Sequence, residues 1–305
     1  MREECCAITV MENAIYGGEA MEIGVVALSL SCMDFTEMLE FVRDIGGTTI
    51  ELCTVKGAHN GTVNLGKDHR SELVEAVESR GLSIVSVAGY NNFVCLEESE
   101  LEREVVRLEW YCELASDLGV GIVRAMTGDP HPDLSQEEMV DSIIRGFRLA
   151  VQVARKHNVV LALENHGHVV NDGQTLLKII NGVSDHHLRL TIDTGNFCWA
   201  GHSVEDAHRF IRHLVPHTAN VHLKDLIFAE KEAVQFVPLG QGKIDLKMTI
   251  EQLAAEGYNG ALLCEYEGMG DPKDLLGAGT FTRDRFVKGL KRGTRESLTH
   301  LETLL

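Results

Sequence analysis

The chain has 305 residues, 44% of them hydrophobic and 24% charged, enough apolar material for one large domain or two small ones. Its 46 acidic residues outweigh 28 basic ones, and the formal net charge of -18 disfavours nucleic acid and anionic membranes as partners. No stretch approaches the ~18 consecutive apolar residues of a membrane-spanning helix. The opening MREECCAITVMENAIYGGEA also lacks the apolar core of a secretory signal, so a cytoplasmic protein is expected.

Residues 1–20 read as a loose N-terminal extension that holds the adjacent Cys5 and Cys6. From residue 21 onward, short apolar or β-branched runs alternate with longer amphipathic stretches. The runs are MEIGVVAL (21–28), GTTIEL (47–52), LSIVSVAG (82–89), GIVRAM (121–126), VVLALEN (159–165), LRLTID (188–193), ANVHLKD (219–225) and ALLCEYE (261–267). Helical spacing marks FTEMLEFVRDIG, SELVEAVESRG, LEREVVRLEWYCELASDLG, MVDSIIRGFRLAVQVARKHN, SVEDAHRFIRHLV, MTIEQLAAEGYNG and FVKGLKRGTRESLTHLETLL. Ser135 with Glu138, and Ser203 with Asp206, have the spacing of capping boxes.

Strands alternating with helices imply parallel βαβ units, and near-continuous apolar runs fit strands covered on both faces. Eight such units predict an α/β fold, a single-domain (β/α)8 TIM barrel over residues 21–305. An open doubly wound sheet is the alternative. It is disfavoured because MEIGVVALSLSCMDF carries no G-x-G-x-x-G phosphate turn. The eight cysteines form no C-x-x-C, and buried reduced thiols are the expectation for them.

In such a barrel the chemistry sits at the C-terminal ends of the strands. Strand five ends in Glu164, strand six in Asp193, strand seven in His222 and strand eight in Glu265, each directly after apolar residues. Three carboxylates and an imidazole converging on one axis would repel one another without a cation. A divalent metal site is therefore predicted, with oxygen-rich ligation and one nitrogen suited to Mn²⁺, Mg²⁺, Co²⁺ or Zn²⁺, and Mn²⁺ favoured.

Further tips are candidates for substrate contact. Strand alternation places His166 on the face of Glu164, and Lys224 on the face of His222. Lys224 is positioned to bind a carboxylate, a phosphate or a developing oxyanion, with an ion pair to a strand-end carboxylate as the structural alternative. Glu51 ends strand two and Arg124 strand four, and either contacts substrate or forms a buried pair with the other. Gln241, in LGQG, is placed to close over the pocket, and Asn196 follows the strand-six tip. Trp199 and Phe197 either wall the site or pack in the core.

The motifs LALENHG, TIDTGNF, VHLKD with PLGQGKID, and CEYEG together resemble the xylose-isomerase-like barrel superfamily of sugar phosphate isomerases and epimerases, over about residues 21–300. The resemblance implies that Glu164, Asp193, His222 and Glu265 bind the metal, and that Glu164 and Glu265 exchange protons with the substrate. Metal polarisation of a carbonyl and its neighbouring hydroxyl would acidify the C–H between them and favour an enediolate. Two carboxylates on opposite faces of that plane could then deprotonate and reprotonate it.

Two departures bear on the substrate. The ketose 3-epimerases have a histidine three positions after the strand-six aspartate, where this chain has Asn196. Six residues beyond the strand-five glutamate they have an acidic contact, where this chain has Val170. The H-x-D pattern of the endonuclease branch is absent, because Lys224 separates His222-Leu223 from Asp225.

The expected activity is thus a metal-dependent isomerase or epimerase of a sugar, sugar acid or keto-sugar. A dehydratase of the inosose or dehydroshikimate type is the alternative, and a non-catalytic metal-binding barrel a third reading. The expected partner is a small-molecule carbohydrate, and family analogy points to a homodimer or homotetramer.

Overall fold

A computed structural model of the protein describes residues 20–228, 233–268 and 283–305. The expected extension, with Cys5 and Cys6, lies outside the described residues except for Ala20. Eight parallel strands close into a barrel: β1 (Glu22–Val26), β2 (Thr49–Leu52), β3 (Ser83–Ala88), β4 (Ile122–Ala125), β5 (Val160–Glu164), β6 (Leu188–Asp193), β7 (Thr218–Leu223) and, after a small hairpin, β10 (Ala261–Cys264). Neighbouring strands follow chain order around the ring, and β10 closes it against β1.

The eight strands coincide with the eight apolar runs, which can be apolar throughout because both faces are covered. The outward-facing Leu161 and Leu163 of β5 join the main core beneath the helices. The inward-facing Val160 and Ala162 pack instead with Ile122 and Ala219 inside the barrel. Val26, Ala261 and Leu263 form a second interior cluster. Gly24 permits close approach of β1 to β2, since a Cβ there would collide with the Thr49 carbonyl.

The surrounding helices are α1 (Phe35–Asp44), α2 (Arg70–Glu78), α3 (Glu98–Asp117), α4 (Gln136–His157), α5 (Gly173–Val183), α6 (Val204–Leu214), α7 (Leu246–Ala255) and α8 (Arg283–Glu302). The Ser135–Glu138 capping box is present at the start of α4, and the Ser203 hydroxyl accepts the Asp206 N–H at the start of α6. Sequence periodicity missed α5. It begins on Gly173 and has a second glycine, Gly182, in its last turn, which masks an amphipathic run capped by Asp172. The second addition is an antiparallel hairpin outside the barrel, β8 (Asp225–Phe228) with β9 (Val234–Val237). No helix among the described residues is long and apolar enough to cross a membrane. Of the six described cysteines, all free thiols, five are buried and Cys32 is partly so.

Candidate metal centre

Glu164 is the last residue of β5, and Asp193, the last of β6, pairs in register with His222 of β7. That pairing follows a register shift between Leu190 and Thr191, a bulge of the kind that re-aims side chains beside active sites. Glu265 sits one residue beyond β10, its N–H still donating to the Leu223 carbonyl at 3.0 Å. The four predicted ligands therefore meet at one mouth, all buried, with one ligand atom from each lying within 4.8 Å of the others.

Hydrogen bonds aim these side chains. Asp193 Oδ1 accepts the backbone N–H groups of Gly195 (2.9 Å) and Asn196 (3.0 Å), which turns Oδ2 into the cluster. Asn165 clamps the same backbone from both sides: its Nδ2 donates to the Asp193 carbonyl at 2.9 Å, and its Oδ1 accepts the Asp193 N–H at 2.8 Å. His222 Nε2 lies 3.0 Å from Glu51 Oε2, a carboxylate that can only accept, so the neutral ring keeps its proton on Nε2 and would offer the Nδ1 lone pair to a metal. That Nδ1 lies 3.0 Å from Glu265 Oε2 and 3.4 Å from Glu164 Oε1.

Glu51 and Arg124 underlie this arrangement. Glu51 Oε2 also accepts from Ser86 Oγ (2.8 Å) and Asn220 Nδ2 (3.0 Å), and Oε1 faces Arg124 Nε at 3.1 Å. A register shift between Ile50 and Glu51 brings Glu51 level with Ser86. Arg124 reaches Glu164 Oε2 at 2.6 Å, and its guanidinium stacks 4.9 Å over the Tyr90 ring. Burial works against ionised carboxylates here, but Arg124 and His222 hold Glu164 well below the usual range, and His222 and Arg124 hold Glu51 below it. Burial likewise opposes ionisation of Glu265, and Lys224 and His222 overcome it, to about 2. Asp193 differs: burial outweighs Lys224 and pushes it up to about 8.

These residues fit a divalent cation. Asp193 Oδ2, His222 Nδ1 and Glu265 Oε2 are buried, face one another and carry no hydrogen bond. The two carboxylate oxygens share one ammonium, Lys224, at 3.2 and 3.4 Å, and a divalent cation between them and a neutral His222 would satisfy all three atoms. The charges give the same answer. With Asp193 ionised and His222 neutral, as metal ligands would be, four buried carboxylates (Glu51, Glu164, Asp193, Glu265) face two permanent cations (Arg124, Lys224), so one divalent ion would replace the two protons these ligands give up.

A family model described as a xylose isomerase-like TIM barrel matches residues 39–302. The chain belongs to that family. No curated protein matches it by sequence. Solved structures match over nearly the whole fold. The IOLI protein with a bound zinc atom has 17% identity and a TM-score of 0.72, covering 93% of this chain and 98% of its own. D-psicose 3-epimerase with D-tagatose from Clostridium cellulolyticum has 16% identity and a TM-score of 0.71, covering 93% and 99%. The probable 3-DHS dehydratase AsbF of Bacillus anthracis has 18% identity and a TM-score of 0.68, covering 92% and 99%.

Several candidate substrate contacts of this xylose isomerase-like barrel are engaged with other side chains, Glu51, Arg124 and Lys224 in the ion pairs that were their alternative. Glu51 is fully buried with both oxygens engaged, so it orients His222, and Arg124 is spent on Glu51 and Glu164. Lys224 is taken up by Asp193, Glu265 and Glu267, at 3.2, 3.4 and 3.1 Å. Asn196 bridges Glu164 Oε1 and Lys224 Nζ, at 3.3 Å to each. Gln241 does not close over the site, because its amide donates outward to Glu296 of α8 at 2.9 Å. The cause is Asp225, whose Oδ2 accepts the N–H groups of Gly240 and Gly242 and turns the residue between them away.

His166 keeps a half-buried place near Glu164, its ring 5.7 Å from that of Trp199, on which the exposed His168 stacks at 4.8 Å. Phe197 is core, packed on Phe210. Sequence reasoning missed Ser86 and the role of Asn220. Asn220 was findable, since it lies two residues before His222 on the same strand face.

Proposed function

We propose that this chain is a divalent-metal-dependent isomerase or epimerase of a sugar, sugar acid or keto-sugar, working by proton removal and return beside a carbonyl. The observation that carries this reading is the placement of Glu164 and Glu265. Their oxygens lie 3.4 and 3.0 Å from His222 Nδ1, and they arrive from strands separated by β6 and β7. A bound divalent ion would supply polarisation of the substrate carbonyl and acidify the neighbouring C–H.

The chain's own groups do the rest. Arg124 keeps Glu164 ionised and Lys224 keeps Glu265 ionised, so each is available to accept a proton. Both are buried, which slows loss of an abstracted proton to water before it is returned. The epimerase among the solved structures that share this fold agrees with this chemistry.

The test is reconstitution with Mn²⁺ or Zn²⁺ in deuterated water, against a panel of ketoses, keto acids and inososes. Formation of an isomer carrying deuterium at the carbon beside the carbonyl supports the proposal. A dehydrated product without any isomer assigns the protein to the lyases instead. A metal-loaded protein that neither turns over nor exchanges any substrate overturns both readings in favour of a binding barrel.

A further inference from the structure

Beyond holding Glu265 ionised, Lys224 has contacts with Asp193 and Glu267 that the proposed chemistry does not explain. Its side chain is 2% exposed, and its ammonium lies 3.2 Å from Asp193 Oδ2 and 3.4 Å from Glu265 Oε2. Those are two of the three buried atoms that lack hydrogen bonds and face the centre. A third carboxylate, Glu267, lies 3.1 Å away and is the only one of the three open to water, at 42% exposure. The lysine stem is closely packed: a Cβ on Gly195 would come within 2.7 Å of the Lys224 Cβ. Its ammonium also lies 5.4 Å from the Phe236 ring centre.

We propose that Lys224 is a resident counter-cation of the metal centre. It shares Asp193 Oδ2 and Glu265 Oε2 with the divalent ion, and metal loading draws the ammonium off those two oxygens and leaves it on Glu267, which it already meets at 3.1 Å. The inference rests on the metal reading above. Carboxylate oxygens ligate a metal at roughly 2 Å, and a dication that close repels an ammonium held by the same oxygens. The stem is fixed by packing, so the head has one nearby anion to turn to, and that anion is solvated. Lys224 is thus a positioning residue acting through Asp193 and Glu265. It keeps both carboxylates in place before loading and lowers the affinity of the centre so that the ion can exchange.

The test is calorimetric titration of the metal-free full-length protein with Mn²⁺ and, in parallel, Zn²⁺, for wild type, K224M and E267Q. K224M is expected to bind at least about tenfold more tightly, because it removes the competing charge. E267Q is expected to bind several-fold more weakly, because the displaced ammonium loses its destination. A purely structural lysine would give the opposite sign for K224M. A K224M affinity no tighter than that of wild type overturns the proposal, as does an E267Q affinity that is unchanged or tighter. If K224M does not fold, E267Q decides alone, since Glu267 is partly exposed. Wild-type protein that takes up neither ion overturns the metal reading itself, which separates that failure from failure of this proposal.

Discussion

The two halves of the barrel end in similar-looking charged tips that do different work. On β5, β6, β7 and just past β10, the tips Glu164, Asp193, His222 and Glu265 converge, and Asp193 Oδ2, His222 Nδ1 and Glu265 Oε2 face one another without hydrogen bonds. On β2, β3 and β4, the side chains of Glu51, Ser86 and Arg124 are spent on one another and on the first set. The first half offers a ligand sphere. The second supplies the imidazole orientation and the positive charge that make such a sphere tolerable in a buried site. A ligand set on one wall is therefore incomplete without the ionic scaffold on the other.

That division can be broken by experiment. The largest effect is expected on the ligand side: Glu265→Gln keeps the shape of the side chain but loses the base, and should lower turnover by about 10²–10⁴-fold with little change in thermal midpoint. Turnover within a few-fold of wild type would remove Glu265 from proton exchange. On the scaffold side, Arg124→Met leaves Glu51 and Glu164 buried without their guanidinium. It should cost about 3–5 kcal/mol in denaturant unfolding, the range for a broken buried pair. If instead E265Q unfolds the protein and R124M leaves its stability intact, the roles of the two halves are reversed.

A subtler change probes the link between the walls. Glu51→Gln retains an acceptor for His222 Nε2–H but weakens its hold, and should reduce metal affinity by about 10–100-fold, as measured by titration calorimetry. An unchanged affinity would mean that Glu51 supports the fold alone.

The sequence was most informative where a local pattern decides the structure. Buried strands announce themselves as apolar runs, and a carboxylate at the tip of such a run, as in LALE or LTID, stands out against them. What was hidden depends on contacts across the ring. Glu51 and His222 are 171 residues apart, so nothing local distinguishes a glutamate that orients an imidazole from one that meets a substrate. The outward direction of Gln241 was hidden for a related reason: the glycines flanking it donate to Asp225, fifteen residues or more upstream. The Lys224 reading left an ion pair open as the alternative, and the structure selects it.

Two buried histidines sharpen the comparison further, with the smallest expected effect. His222 sits among carboxylates, and although burial favours the neutral ring, Glu51 and its neighbours raise its pKa well above the ordinary value. His59, in the loop after β2, is also buried, but no carboxylate among the described residues pairs with its ring, and burial outweighs a contact with the Met33 backbone and lowers its pKa from the ordinary value. A histidine with a depressed folded pKa contributes stability above the unfolded value, and that stability is lost as the pH falls from about 6.5 toward the folded value, because the unfolded chain takes up the proton first. His59→Asn, which suits the backbone φ of 52° at this position, should therefore flatten the acid-side fall in thermal midpoint between about pH 7 and 5. Equal slopes for the variant and wild type would show that the buried His59 ring is not what makes the β2 loop sensitive to acid.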